Sequence, residues 1–180
     1  MSDLPLEPSS WLIDPDHSSI DFSVRHLMVS RVRGTFQSFS GTITVEDGTA
    51  GVVVEIDTSS LTTRNARRDE HLRSGDFLDT HDHPKATFES TGMTASGDGY
   101  VLTGDLTLRG VTKQVDLHVS YLGRNGGVGK GEVVGFEATT TITRQDFGIT
   151  IDVPTETGDK VVGDAVSLSF DVEAVRLQTP

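Results

Sequence analysis

From Trp11 onward, apolar side chains return at every second position in short runs, and this repeat limits the chain to few folds. Ile20, Phe22 and Val24 share one face, opposite Asp21, Ser23 and Arg25. The same pattern holds for Phe39, Ile43 and Val45, for Val52, Val54 and Ile56, and for Ala86 and Phe88. It continues through Leu102, Leu106 and Leu108, then Val115, Leu117, Val119 and Tyr121, then Phe136, Ala138 and Ile142, and ends with Val166, Leu168, Phe170 and Val172. A period of two is that of half-buried strands, and the runs predict about eight of them. Turn-forming clusters lie between the runs: "EDGTAG", "SGDG", "GRNGGVGKG" and "ETGDK". Such short links make hairpins, so the predicted fold is an all-β antiparallel meander. Strands with one apolar and one polar face build either a sandwich or a closed barrel. A barrel of about eight strands holds either packed side chains or one small ligand.

One stretch breaks the alternation, "ARRDEHLRSGDFLDTHDHP" from Ala66 to Pro84. Its first part predicts a short surface helix near residues 63–74, capped by a Ser or Thr before Arg64 and stopped by Gly75. Ala66 and Leu72 are nearly all of its apolar content, so it reads as a cover over one end of the sheet and not as a core helix. Residues 1–10, with Pro5 and Pro8, read as a flexible N-terminal tail, and residues 11–177 as a single domain.

The chain has 180 residues, no cysteine and a net charge of −12. Disulfides, thiolate metal sites and cysteine nucleophiles are therefore excluded. The acidic balance argues against nucleic acid and against anionic membrane surfaces as partners. The opening "MSDLPLEPSSWLIDPD" has neither a basic start nor an apolar run, and no apolar stretch is long enough to cross a bilayer as a helix. On that basis the expected location is the cytoplasm.

Five segments in order carry a resemblance: "WLIDPDHSSIDFSVRHLMVSRVRGTFQSFSGTI", "RRDEHLRSGDFLDTHDHPKATFES", "GDLTLRGVTKQVDLHV", "TITRQDFGIT" and "VVGDAVSLSF". Together they resemble the YceI-like family of polyisoprenoid-binding bacterial proteins over roughly residues 11–175. The resemblance implies an eight-stranded lipocalin-like antiparallel barrel that holds an isoprenoid or similar amphiphile, and it implies a homodimer. The chain departs from the family pattern at Phe77-Leu78, where relatives carry two aromatics, and at the "HDH" before Pro84.

An apolar tunnel would draw on Phe22, Val24, Phe36, Phe39, Ile43, Phe88, Leu106, Leu108, Phe136, Phe147 and Phe170. The periodicity alone does not separate such a tunnel from a packed core; the resemblance favours the tunnel. Candidates for the polar end of a ligand are His26, which continues the face of Phe22 and Val24, and Arg67, Arg68 and His71. Arg68 and Asp69 could instead lock the helix to the barrel as a buried ion pair, and Asp69 could pair with Arg73. His81, Asp82 and His83 offer two or three metal ligands where a structural zinc site wants four, so no metal is assigned to them. No nucleophile elbow or P-loop is present, and no catalytic residue or cofactor is assigned. Two other readings stay open: an enzyme acting on a small amphiphile at the barrel mouth through His71, Asp76 and His81, and an interaction module with a filled core.

Overall fold

The computed structural model describes residues 3–153 and 155–178. It contains eleven strands: β1 Ser9–Ile13, β2 Ser19–His26, β3 Ser30–Phe36, β4 Phe39–Glu46, β5 Thr49–Asp57, β6 Leu61–Thr62, β7 Lys85–Ser96, β8 Gly99–Leu108, β9 Val111–Asn125, β10 Val133–Thr143 and β11 Val162–Arg176. One α-helix, α1, spans Ala66–Arg73. The ladder runs β1-β4-β5-β7-β8-β9-β10-β11 and returns from β11 to β1, which closes an antiparallel barrel of eight strands. Strands β2 and β3 prolong two of its staves: β2 pairs with the first half of β11, and β3 with β2. The barrel is thus an up-and-down meander whose first two staves are each broken once.

The breaks have local causes. Pro15 cannot donate to a ladder, and Pro15–His17 form a 3-10 turn capped by Asp14, whose Oδ1 accepts from the Asp16 amide at 3.0 Å. The backbone of Glu173 loses its ladder partner there. Its carbonyl instead accepts from the Asp14 amide at 2.8 Å, and its amide donates to Ser18 Oγ at 3.0 Å. Between β3 and β4 the kink falls at Gln37-Ser38, where the Ser38 amide donates to Ser60 Oγ at 3.0 Å. Strand β3 was not legible as alternation because only Val32 and Phe36 mark its inner face, with Gly34 between them. A side chain at Gly34 would collide with Phe22, whose ring lies across this position. The β8–β9 turn at Arg109-Gly110 has positive φ at both residues, 49° and 72°, the geometry expected for a tight hairpin.

Helix α1 is shorter than expected, and its N-cap is not a Ser or Thr. Arg64 sits in the left-handed region with φ 62°, so the helix starts after it. Asn65 is the cap, and its Oδ1 accepts from the Arg68 amide at 3.0 Å.

The flexible tail also needs correction where the structure describes it; residues 1–2 lie outside the described residues. Leu4 and Leu6 are buried with Trp11, Ile43, Val45, Val134 and Ala174. The Leu4 amide donates to the Gly48 carbonyl at 2.9 Å, and Tyr100 Oη donates to the Asp3 carbonyl at 3.3 Å. The segment is a plug: two leucines without any repeat pattern close the barrel end opposite α1. Leu4→Ala is therefore expected to lower unfolding free energy by about 2–4 kcal/mol in a urea titration, as core truncations do and tail substitutions do not.

Candidate functional site

Inside the barrel, between the plugged end and α1, lies a cavity of about 410 Å³ whose walls are almost wholly apolar. Phe22, Val24, Phe36, Ile43, Phe88, Leu106, Leu108, Phe136 and Phe170 all face it, as the alternation requires for inward positions. Two expected tunnel residues do not. Phe39 is wall packing, wedged between the Trp11 cluster and the Ile56 cluster. Phe147 is 1 % exposed and packs with Leu117, Ile142, Val111 and Val115. It stops a gap: β9 pairs with β10 only from His118 onward, and the 3-10 turn Arg144–Phe147 occupies the space where the two strands part. Val32, Val54, Val166 and Leu168 are among the other lining residues, and Thr140 is a polar inward position on β10. A filled core does not describe this interior.

Polar side chains gather at one rim. Arg25, His26, Arg68, His71 and Arg144 border the cavity there, with Leu72, Phe77 and Leu78. Arg67, proposed for a polar ligand end, is exposed on α1 and is absent from the lining. Arg68 borders the cavity, but its head group is engaged: Nε donates to Thr63 Oγ1 at 2.7 Å and Nη2 to the Thr63 carbonyl at 2.9 Å. His71 Nε2 lies 2.8 Å from Asp76 Oδ2, with its ring edge-on to Phe77 at 5.0 Å.

The ion pair expected between Arg68 and Asp69 does not form; both side chains converge on Thr63 instead. Asp69, 5 % exposed, accepts from the Thr63 amide at 2.8 Å and from Thr63 Oγ1 at 2.5 Å. Burial works against its charge, but these bonds and the nearby Arg73 outweigh it and hold its carboxyl below the usual range. Arg73 does not pair with Asp69 either. Its Nε donates to the Ser59 carbonyl at 2.8 Å and its Nη2 to Leu61 at 2.7 Å. Of the grouping His71, Asp76 and His81 expected at the mouth, the first two are in contact and the third stands apart. His81 is turned to solvent and bonds only its neighbour Asp82, at 2.9 Å. His83 lies over Gly110, away from a shared metal position. Asp14, His17 and Glu173 do gather, but on the β1–β2 break, where the Asp14 bond raises the basicity of His17.

Sequence reasoning missed Arg144, a lone charge in "TITRQDFGIT" with no pattern to mark it. It is 3 % exposed. Nη1 donates to the carbonyls of Ile149 and Ile151, both at 2.8 Å, and Nε to Gly163 at 2.9 Å. One guanidinium thus ties Ile149 and Ile151, which follow the 3-10 turn, to Gly163 at the start of β11, beside the rim. Arg109 acts similarly, donating from Nη1 to Gly148 at 2.6 Å and from Nη2 to Gly75 at 2.8 Å, which ties the loop after α1 to the Arg144 turn.

These features define a closed up-and-down β-barrel with an apolar chamber and a polar, helix-covered rim. The YceI-like domain pattern matches residues 11–174, and the chain belongs to that family. Among its relatives are a UPF0312 protein of Pseudomonas paraeruginosa, 40 % identical over 163 residues, covering 89 % of this chain and 82 % of that one. Protein YceI of Escherichia coli O157:H7 is 43 % identical over 140 residues, covering 76 % and 73 %. The Campylobacter jejuni YceI crystal structure superposes with a TM-score of 0.71 at 29 % identity, covering 86 % of this chain and 90 % of that one. A polyisoprenoid binding domain from Saccharophagus degradans, at 17 % identity and TM-score 0.66, covers 95 % and 100 % and shares the fold.

Two outcomes follow at the rim. Arg144→Leu leaves several buried carbonyls without a donor, and a loss of about 3 kcal/mol or more is expected in denaturant titration. Asp69 has a folded-state pKa below its unfolded value near 3.9, so its contribution is whole above about pH 4 and drains as pH falls toward the folded value. The stability gap between the native chain and Asp69→Asn should be constant near neutrality and shrink below about pH 4, measured by urea titration at each pH.

Proposed function

We propose that the protein binds a long apolar lipid of the isoprenoid type inside the barrel, a polyprenyl phosphate, a quinone or a similar amphiphile, to carry, store or sequester it without transforming it. The observation that carries this reading is the almost wholly apolar chamber of about 410 Å³ with charged and histidine side chains only at one rim. Its volume lies within the roughly 300–1,000 Å³ of ligand pockets. Burying a hydrocarbon chain is non-directional and additive, about 0.8 kcal/mol per methylene before ordering costs, so a chamber with almost no hydrogen-bonding wall suits a chain ligand. Family membership and the polyisoprenoid binding domain that shares this fold support the same ligand class. At the rim, His26 and Arg25 stand where a ligand's polar end would emerge, whereas Arg68 and Arg144 are already committed to backbone carbonyls.

Native mass spectrometry of the purified protein, followed by organic extraction, tests this directly and reads the oligomeric state, for which a homodimer is expected. A discrete excess mass matching an isoprenoid supports the reading; a bare mass that persists after incubation with polyprenyl lipids overturns it. Phe22→Asp puts a charge on the chamber wall, and Gly34→Val drives the Phe22 ring from its seat. Each is expected to weaken uptake of a fluorescent prenol by roughly 10- to 100-fold while the far-ultraviolet circular dichroism is retained.

A further inference from the structure

At the rim, the β2–β3 hairpin ends in a feature that the fold does not need. Its three loop residues, Leu27, Met28 and Val29, are 39 %, 56 % and 84 % exposed. Leu27 and Met28 also hold φ of 50° and 60°, the left-handed region that glycine or asparagine occupies at little cost and bulky side chains resist. A turn built only to join two strands would place Asn-Gly there. Three consecutive apolar side chains at an exposed tip, two of them in strained backbone, are disfavoured twice over, which points to a surface that receives them.

The position of the tip says which surface. His26, immediately before it, borders the chamber, as do Val161 and Val162 where β11 begins, and the Leu27 amide donates to the Val161 carbonyl at 2.9 Å. Val153, 52 % exposed, stands at the same rim. The apolar tip is therefore continuous with the apolar interior.

Charge supports the same partner. Although the chain carries −12, residues 22–45 contain Arg25, Arg31 and Arg33 and neither Asp nor Glu. Arg25 and Arg31 face each other across the ladder, a like-charge juxtaposition that a sheet does not favour, and Arg33 follows on the same face. Every arginine in an ion pair among the described residues is a different one. Of the acids near the rim, Asp76 is paired with His71 and Asp164 with Lys160 and Arg144. Asp152 and Asp159 beside the rim and Asp21 on the face of Arg33 are in no ion pair among the described residues, so the positive charge is concentrated at the hairpin and not over the whole rim. An apolar tip with unpaired arginines behind it is the pattern of a segment that enters the interface of a bilayer with anionic head groups. The net charge, read over the whole chain, had argued against such a surface; its distribution reverses that at this one end.

We propose that the tip Leu27–Met28–Val29, backed by Arg25, Arg31 and Arg33, docks the barrel rim onto a lipid bilayer, so that the ligand passes between bilayer and chamber without crossing water. The proposal rests on the lipid-binding reading above. Its physical benefit is that the cost of moving an apolar chain through water grows with every methylene, and contact removes that step.

The chain has no cysteine, so single-cysteine variants report position cleanly. An environment-sensitive dye on Val29→Cys is compared with the same dye on Val128→Cys. Val128 is 98 % exposed in the β9–β10 link, which meets the opposite end of β11. With vesicles of phosphatidylcholine and phosphatidylglycerol, the dye at position 29 should brighten and shift to the blue, and the dye at 128 should not. The response should weaken on phosphatidylcholine alone. The exposed double variant Met28→Asp/Val29→Asp should lose about tenfold or more of vesicle binding, and of prenol transfer from vesicles, while taking up detergent-dispersed prenol as the native chain does. An unmoved dye at position 29, equal responses at both positions, or unimpaired transfer by the double variant would overturn the proposal. So would a shift at 29 that grows with protein concentration without vesicles, which assigns the tip to a second copy of the chain. If the native chain takes up no detergent-dispersed prenol, the chamber reading fails instead, and the vesicle response at position 29 still reads the tip by itself.

Discussion

The rest of the structure depends on the double pairing of β11. This fifteen-residue strand meets β10 along one side for most of its length, and on the other it meets β2 first and β1 last. The return to β1 closes the ladder. Closure gives every stave of the barrel two neighbours over part of its length, so most backbone groups of the wall are satisfied by the wall itself; the exceptions are β9 before His118 and β3 before Thr35. Only because of this can the interior remain a chamber: the fold does not rely on side chains filling its centre to hold the strands together. The Asp14–Ser18 break is tolerated for the same reason, since Ser18 and the Asp14 amide take over the bonds to Glu173 that the ladder gives up there.

The two ends of the barrel solve different problems. At one, apolar plugging suffices: Leu4, Leu6 and Trp11 fill it. At the other, irregular backbone must be held around an opening, and irregular backbone leaves carbonyls without ladder donors. Arginines supply them. Arg68, Arg73, Arg109 and Arg144 each direct guanidinium N–H groups at main-chain carbonyls. A planar guanidinium with five donors can bridge two or three carbonyls at once, which an ammonium does less well in fixed geometry. The charged density between Ala66 and Pro84 therefore owes much of its catalytic look to structural work, and the polar rim left over for a ligand is small.

Phe22 and Gly34 show how a chamber is kept open between these ends. The ring of Phe22 rests over the glycine of the neighbouring strand, where any β-carbon would be in contact, and Phe88 does the same over Gly104. Flattening large rings against the wall spends aromatic surface on the sheet and leaves the axis free.

Much of the fold was legible in the sequence. The period of two is a local property, set by the pleat that sends successive side chains to opposite faces, so strands, faces and hairpins follow from neighbours in the chain. Nine of the eleven expected inward residues border the chamber for that reason. What only the tertiary structure decided is what local pattern cannot encode. Leu4 and Leu6 have no periodicity and are buried because the chain folds back over the barrel end. Phe147 has the right character, but it fills a parting between β9 and β10 that exists only once the strands splay. Arg144 and Asp69 are single charges whose partners, backbone groups together with Asp164 and the Thr63 hydroxyl, are brought to them by the fold. The difference between a packed interior and a chamber is likewise a matter of ring diameter and of where each side chain leans, quantities set by closure of the whole ladder.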